Sequence, residues 1–231
     1  EVFPPEDSLD LLERKCHKLN PEVEIAVIKL PSLSNFSDLD PLEAESSVKL
    51  RWVEPGDFLG HPDAVLLPGS KQTINDLKAL HCSGLGRQIK SYSQGTGNIL
   101  GICGGMQMLG KSLEDPLNLE NSQKEDSCRT FAGLDLLPIY TVFEIEKSLF
   151  QREVNSLWPG KVPILGFEMH HGKSQLLQSF QGNIQLLTDD PSLGLVVRNQ
   201  EFCDIAGTYL HGIFENGSWR RFWLNGLRKK K

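Results

Sequence analysis

The sequence predicts an α/β fold: a mostly parallel central sheet flanked by helices. Two short apolar runs, Asp63-Ala64-Val65-Leu66-Leu67 and Asn98-Ile99-Leu100-Gly101-Ile102, are bounded by turn formers. That is the pattern of strands buried on both faces. Helix-like stretches at 75–81 and 86–94 separate the two runs, so strands and helices alternate. With 231 residues, 39% hydrophobic and 23% charged, the chain can build one self-stabilising core.

Taken in order, Ser8 to Leu19 opens on an N-cap type and carries leucines at helical spacing, a short helix within a 1–21 linker. Glu24 to Leu30 reads as a strand stopped by Pro31. Ser32 to Asp40 is a polar loop, and Pro41 to Glu45 begins a helix. Val48 to Val53 alternates as a half-buried strand does. After the two buried runs, Gly104 to Lys111 starts a helix, and Glu114 to Arg129 lacks periodicity and reads as a long loop. Strand-like pieces follow around 136–146, 162–169, 184–187, 194–198 and 204–210. A last helix over 216–228 should carry Trp219, Phe222, Trp223 and Leu227 on one face, as core. The domain is expected to occupy 22–228, with 229–231 a basic tail.

The bulk properties exclude several classes. A formal charge of −6 argues against nucleic acid as a partner. The Arg228-Lys229-Lys230-Lys231 end reads as a solvated terminus. No apolar run approaches the roughly 18–20 residues needed to cross a bilayer. The first residues lack a signal-peptide pattern and an initiator Met, so a processed chain or fragment is expected, working in the cytoplasm. Five cysteines, Cys16, Cys82, Cys103, Cys128 and Cys203, lack paired short spacings and fit neither a disulfide framework nor a zinc site. Each defaults to a small buried apolar residue unless its surroundings argue otherwise.

Cys103 is the exception. It stands in Gly101-Ile102-Cys103-Gly104-Gly105, between a buried strand and a helix start. A tight strand-to-helix turn pushes its central side chain out above the sheet, and small neighbours relieve the crowded backbone. The helix N-terminus adds unpaired N–H groups that favour an anion on the substrate. A thiol nucleophile needs an imidazole to take its proton and return it to the leaving group. Of six histidines, His211 ends an apolar strand, where open sheets place catalytic groups. His170 and His171 compete with it, and alternation puts Glu168 and His170 on one side of their strand. His17, His61 and His81 read as structural or exposed. The Pro68-Gly69 turn leaves N–H groups above the sheet edge, and one of these, with Gly104, could hold an oxyanion.

Four blocks make the reading specific: Leu67-Pro68-Gly69-Ser70-Lys71-Gln72-Thr73, Gly101 to Gly110, Gly166-Phe167-Glu168-Met169-His170-His171-Gly172, and Gly207-Thr208-Tyr209-Leu210-His211-Gly212-Ile213-Phe214. Together they resemble the C-terminal glutamine amidotransferase domain of the cobyric acid synthases, across essentially the whole chain. The resemblance implies a class I, flavodoxin-like amidotransferase fold and L-glutamine as substrate. Cys103 would be the nucleophile and His211 its base, a Cys-His dyad, with Gly69, Ser70, Gly104 and Gln107 around the oxyanion and the glutamine. Glu168 and His170 fall to support or docking roles, and no metal is expected. Two positions after the catalytic His, triad-type relatives carry Glu where this chain has Ile213. Either Glu168 or a backbone carbonyl would then orient His211. The family's full-length members join this domain to an ATP-dependent synthetase. ATP and Mg²⁺ are expected there, with the corrinoid, adenosylcobyrinic acid a,c-diamide, whose four carboxylates receive the ammonia. No Gly-x-x-x-x-Gly-Lys-Ser/Thr phosphate loop occurs in this chain. Rival readings are an amidotransferase acting on cobyrinic acid or a cell-wall lipid intermediate, and a thiol peptidase or esterase on a similar elbow.

Overall fold

A computed structural model describes residues 21–95, 97–120, 129–200 and 203–229. The helix expected at 8–19, Cys16, His17 and Cys128 lie outside the described residues. The central sheet has seven strands in the order β2-β1-β3-β4-β11-β10-β9. These are β1 (Val23–Ile28), β2 (Val48–Val53), β3 (Ala64–Leu67), β4 (Asn98–Ile102), β9 (Ile184–Leu186), β10 (Gly194–Gln200) and β11 (Cys203–Thr208). From β2 through β11 neighbours pair in parallel, and β10 and β9 add antiparallel at one edge.

Both faces are buried, which explains why these strands read as continuous apolar runs. Ala26, Ile28, Val65 and Leu67 point into one core, with Ile74, Leu77, Leu85 and Ile89 from helices α2 (Thr73–Cys82) and α3 (Leu85–Ser93). Ile25, Val27, Ala64 and Leu66 point into the other, against Trp219, Trp223 and Leu227 of α5 (Gly217–Arg228). The expected aromatic face of α5 loses one member. Phe222 is 48% exposed, because positions 219, 223 and 227 form the buried row and 222 falls beside it. Arg228 is not a solvated end either: it bonds Glu22 and Ser47, both at 2.6 Å.

A second sheet, order β12-β8-β7-β5-β6, was not foreseen. Its body is a long hairpin, β7 (Ile139–Ser156) with β8 (Val162–Leu176), far longer than the pieces expected at 136–146 and 162–169. The expected loop at 114–129 is flanked by strands β5 (Ser112–Glu114) and β6 (Thr130–Ala132) of this sheet. The strand expected over 204–210 breaks after Thr208, and β12 (Leu210–His211) leaves the central sheet to pair with β8. Short alternating stretches carry no mark of which sheet they join.

The sequence runs from β1 outward to β2, then back across β1 to β3. The loops leaving β1 and β3 therefore diverge, and a crevice opens at the carboxyl ends of the strands.

Candidate active site

Four loops meet in that crevice. The chain after β1 forms a 3₁₀ turn over Phe36–Leu39 and then the short helix α1 (Asp40–Glu43), bringing Asp38 inward. The turn after β3 carries Gly69 and Ser70, the turn after β4 carries Cys103, and β12 ends on His211.

Cys103 has φ 52° and ψ −112°, a backbone strained for any residue with a side chain. The packing around it dictates that conformation. Its N–H donates to Thr208 O at 2.7 Å, and α4 (Gly104–Leu109) begins at the next residue. A Cβ at Gly105 would stand 2.0 Å from Leu67 O, and one at Gly101 2.7 Å from Met106 N. The helix therefore lies directly on the strands, and the thiol projects upward. Its sulfur lies 3.5 Å from the Met169 carbonyl oxygen.

His211 is 1% exposed. Its Nδ1 lies 2.7 Å from Asp38 Oδ2 and 3.0 Å from Asn35 Nδ2. The second oxygen of Asp38 accepts the Gly212 N–H at 2.8 Å, so the carboxylate is held at both ends. Phe167 stacks on the ring at 5.2 Å between centroids. The orienting group is thus Asp38, and neither of the two expectations, Glu168 or a backbone carbonyl, is met. Glu168 instead pairs with Arg152 and stands 3.5 Å from His170 Nε2. Aspartate 38 lay in a polar loop far from the histidine motif, and no spacing rule links them.

Burial acts to lower the His211 pKa, but the Asp38 carboxylate and then the Cys103 thiol outweigh it and push the value up to about 10. The other ring nitrogen, Nε2, is buried and has no hydrogen bond of ordinary geometry among the described residues. Cys103 acts electrostatically on this same ring.

His170 sits differently. Its Nδ1 meets Gly172 O at 3.0 Å, and its ring stacks on Tyr209 at 3.7 Å. Burial holds its pKa below the usual imidazole range. Arg152, Glu168 and His170 form a chain of contacts on β7 and β8 behind the Met169 carbonyl.

Cys103, His211, Ser70, Gln107, His170 and Glu120 line one cleft of about 350 Å³. A Cβ at Gly104 would lie 3.0 Å from Ser70 N, so those two backbone segments face each other across the elbow. Gly69 packs under the histidine: a Cβ there would be 3.3 Å from His211 Cε1. Gln107 is 2% exposed, and its amide donates to His171 O and to Tyr209 at 3.0 and 3.2 Å. Of the other cysteines, Cys203 is buried as expected, whereas Cys82 is exposed at the end of α2. Glu120 stands in the aperiodic 114–129 stretch, where no motif or spacing singles it out in the sequence.

No helix among the described residues is long and apolar enough to cross a membrane. The Gly69-Ser70-Lys71 turn is engaged with the chain itself: Ser34 N–H donates to Gly69 O and Lys71 N–H to Ser32 O.

Comparison with known proteins adds three findings. A model of the CobB/CobQ-like glutamine amidotransferase domain matches residues 24–219. The chain is 59% identical over 231 residues to a cobyric acid synthase of Prochlorococcus marinus (strain MIT 9313), covering 100% of this chain and 46% of that protein. It is 55% identical over 233 residues to the cobyric acid synthase of Synechococcus sp. (strain RCC307), covering 100% of this chain and 45% of that one. The chain thus spans about half the length of the curated relatives it matches. Among solved structures, a glutamine amidotransferase superposes with a TM-score of 0.61 at 16% identity, over 88% of this chain and 98% of the other. The structure of PurLQS from Thermotoga maritima gives 0.62 at 12% identity, over 92% and 100%. At such identities these two speak for the fold alone.

Proposed function

The chain belongs to the CobB/CobQ-like glutamine amidotransferase domain family, and from that premise we propose that its cleft hydrolyses L-glutamine to supply ammonia for corrinoid amidation. The reading rests above all on one observation: a strained cysteine at a strand-to-helix elbow sharing its cleft with a histidine held by a buried carboxylate.

In this reading the proton of Cys103 passes to Nε2 of His211, and Asp38 favours the resulting imidazolium. The thiolate attacks the carboxamide carbon of glutamine. The oxyanion that forms is met by backbone N–H groups of the Ser70 and Gly104 region, at the N-terminus of α4. His211 returns the proton to nitrogen, the C–N bond breaks, and ammonia leaves a glutamyl thioester on Cys103. Water then gives its proton to His211 and attacks the thioester, the C–S bond breaks, and glutamate departs with the thiol restored. The sum is glutamine plus water giving glutamate plus ammonia.

The acceptor is proposed to be adenosylcobyrinic acid a,c-diamide, amidated at four carboxylates by a synthetase half that takes ATP and Mg²⁺. This chain carries no Gly-x-x-x-x-Gly-Lys-Ser/Thr phosphate loop, which supports placing ATP and Mg²⁺ on the part of the relatives that the chain does not span.

The test has two arms. Ammonia release should occur with glutamine, not with peptide or ester controls, and a diazo-ketone glutamine analogue should label Cys103. Labelling that persisted in Cys103→Ser would overturn the assignment of the nucleophile. Joined to the other half of the 59% identical relative, with ATP and the diamide, the chain should yield amidated corrinoid from glutamine. Amidation from free ammonia but not from glutamine would reject this half's proposed role.

A further inference from the structure

Glutamine carries three things to recognise: the carboxamide, the α-ammonium and the α-carboxylate. The elbow, the histidine and the oxyanion amides account for the first only. The α-carbon lies three bonds from the carboxamide carbon, about 4 Å away when extended. Both charged groups must therefore settle within the same cleft.

Among the described residues, Glu120 is the one carboxylate that lines this cleft, while Lys71 and Lys147 line it as cations. From this we infer that Glu120 receives the α-ammonium of the substrate and makes the site select an amino acid over a simple amide. The inference rests on the glutamine-hydrolysing reading of the site.

The surroundings of Glu120 support that role. Its Oε2 accepts the Thr73 N–H at 2.9 Å, at the first turn of α2, which anchors one oxygen. The loop behind it is bound to Asp115, which accepts the Leu119 and Glu120 N–H groups at 2.7 and 2.9 Å and is 1% exposed. Burial raises the Glu120 pKa, and the charges of Asp115 and Asp76 raise it further. Buried negative charge concentrated this way is relieved by a cation, and an ammonium donating to a carboxylate makes a charge-assisted hydrogen bond. A cap on α2 alone would need only the Thr73 contact and no position in the cleft.

The experiment compares glutamine with glutaramate, which keeps the carboxamide and the carboxylate but lacks the α-ammonium. Ammonia release is measured for the wild type, Glu120→Gln and Glu120→Asp. The wild type should favour glutamine in kcat/KM by about 10- to 100-fold, the worth of one charge-assisted hydrogen bond. In Glu120→Gln the KM for glutamine should rise by about the same factor with kcat nearly unchanged, so that the preference collapses. The amide oxygen of Gln still accepts from Thr73, so a mere cap would be preserved in that variant. Glu120→Asp should sit between the two.

A wild type that takes glutaramate as readily as glutamine overturns the inference without any variant. So does a Glu120→Gln that keeps the preference, or one that loses kcat with KM unchanged. A wild type that releases no ammonia from either compound rejects the glutaminase reading itself, a separate outcome.

Discussion

Asp38 Oδ2 lies 2.7 Å from His211 Nδ1, although 173 positions separate the two residues in the chain. The contact is buried on both sides, with side-chain exposures of 7% and 1%. It gives the histidine a fixed tautomer and a strong preference for the charged form.

Replacing Asp38 by Asn keeps the shape and removes the charge. Ammonia release should fall by about two to four orders of magnitude in kcat. The imidazolium persists below a pKa of about 10 in the wild type, so the alkaline limb of activity should stand near there. In Asp38→Asn that limb should move to lower pH. A pH–kcat/KM profile with an unmoved limb would falsify the electrostatic role of Asp38.

The same pairing makes a statement about stability. The His211 pKa is raised on folding from its ordinary value of 6.5 to about 10. The stabilisation from its partners is then complete below about pH 6.5 and is lost as pH rises through about 10. Denaturant unfolding of wild type and Asp38→Asn should differ most near pH 6 and converge toward pH 10.

The two buried histidines of the cleft should separate cleanly. His211→Ala is expected to lower glutaminase turnover by about 10²- to 10⁴-fold. His170→Ala should stay within about tenfold of wild type, because His170 meets Gly172 and Glu168 and stacks on Tyr209. The reverse ranking would assign the base to His170.

Arg152→Met would leave Glu168, 4% exposed, without its cationic partner. A buried pair broken from one side typically costs about 3–5 kcal/mol. Since the Arg152 side chain is 30% exposed, solvent should screen part of this, leaving about 2 kcal/mol. Urea unfolding of Arg152→Met, with Arg152→Met/Glu168→Gln recovering most of the loss, checks it.

Gly105→Ala places a methyl 2.0 Å from Leu67 O, a backbone atom that cannot swing aside. The start of α4 must lift from β3, at a cost of about 1–3 kcal/mol. Thermal or denaturant unfolding measures that cost. The same shift should move Cys103 and lower turnover, while the half-buried Gly226, with nothing within 4 Å of its Cβ position, should accept Ala without loss.

Much of this molecule is local chemistry and so was legible in one dimension. Strands β1, β3 and β4 announce themselves because burial on both faces demands unbroken apolar runs. The Cys103 elbow is equally plain, since a crowded strand-to-helix turn needs glycines on either side of the cysteine. His211 could be singled out because it ends an apolar strand and precedes a glycine.

Tertiary structure alone decided the rest. Whether a short alternating strand joins the central sheet or a second one depends on pairing partners, and β12 sits only two residues past β11 yet belongs to the other sheet. The long β7–β8 hairpin is half solvent-facing, so its sequence carries a weak signal of length. Asp38 and Glu120 looked like ordinary loop acids, because an acid's role depends on what it faces and not on its neighbours in sequence. Sequence determines which backbone turns and which reactive groups exist. The folding back of the chain at the carboxyl ends of the sheet determines which of those groups meet, and electrostatic coupling exists only after they do.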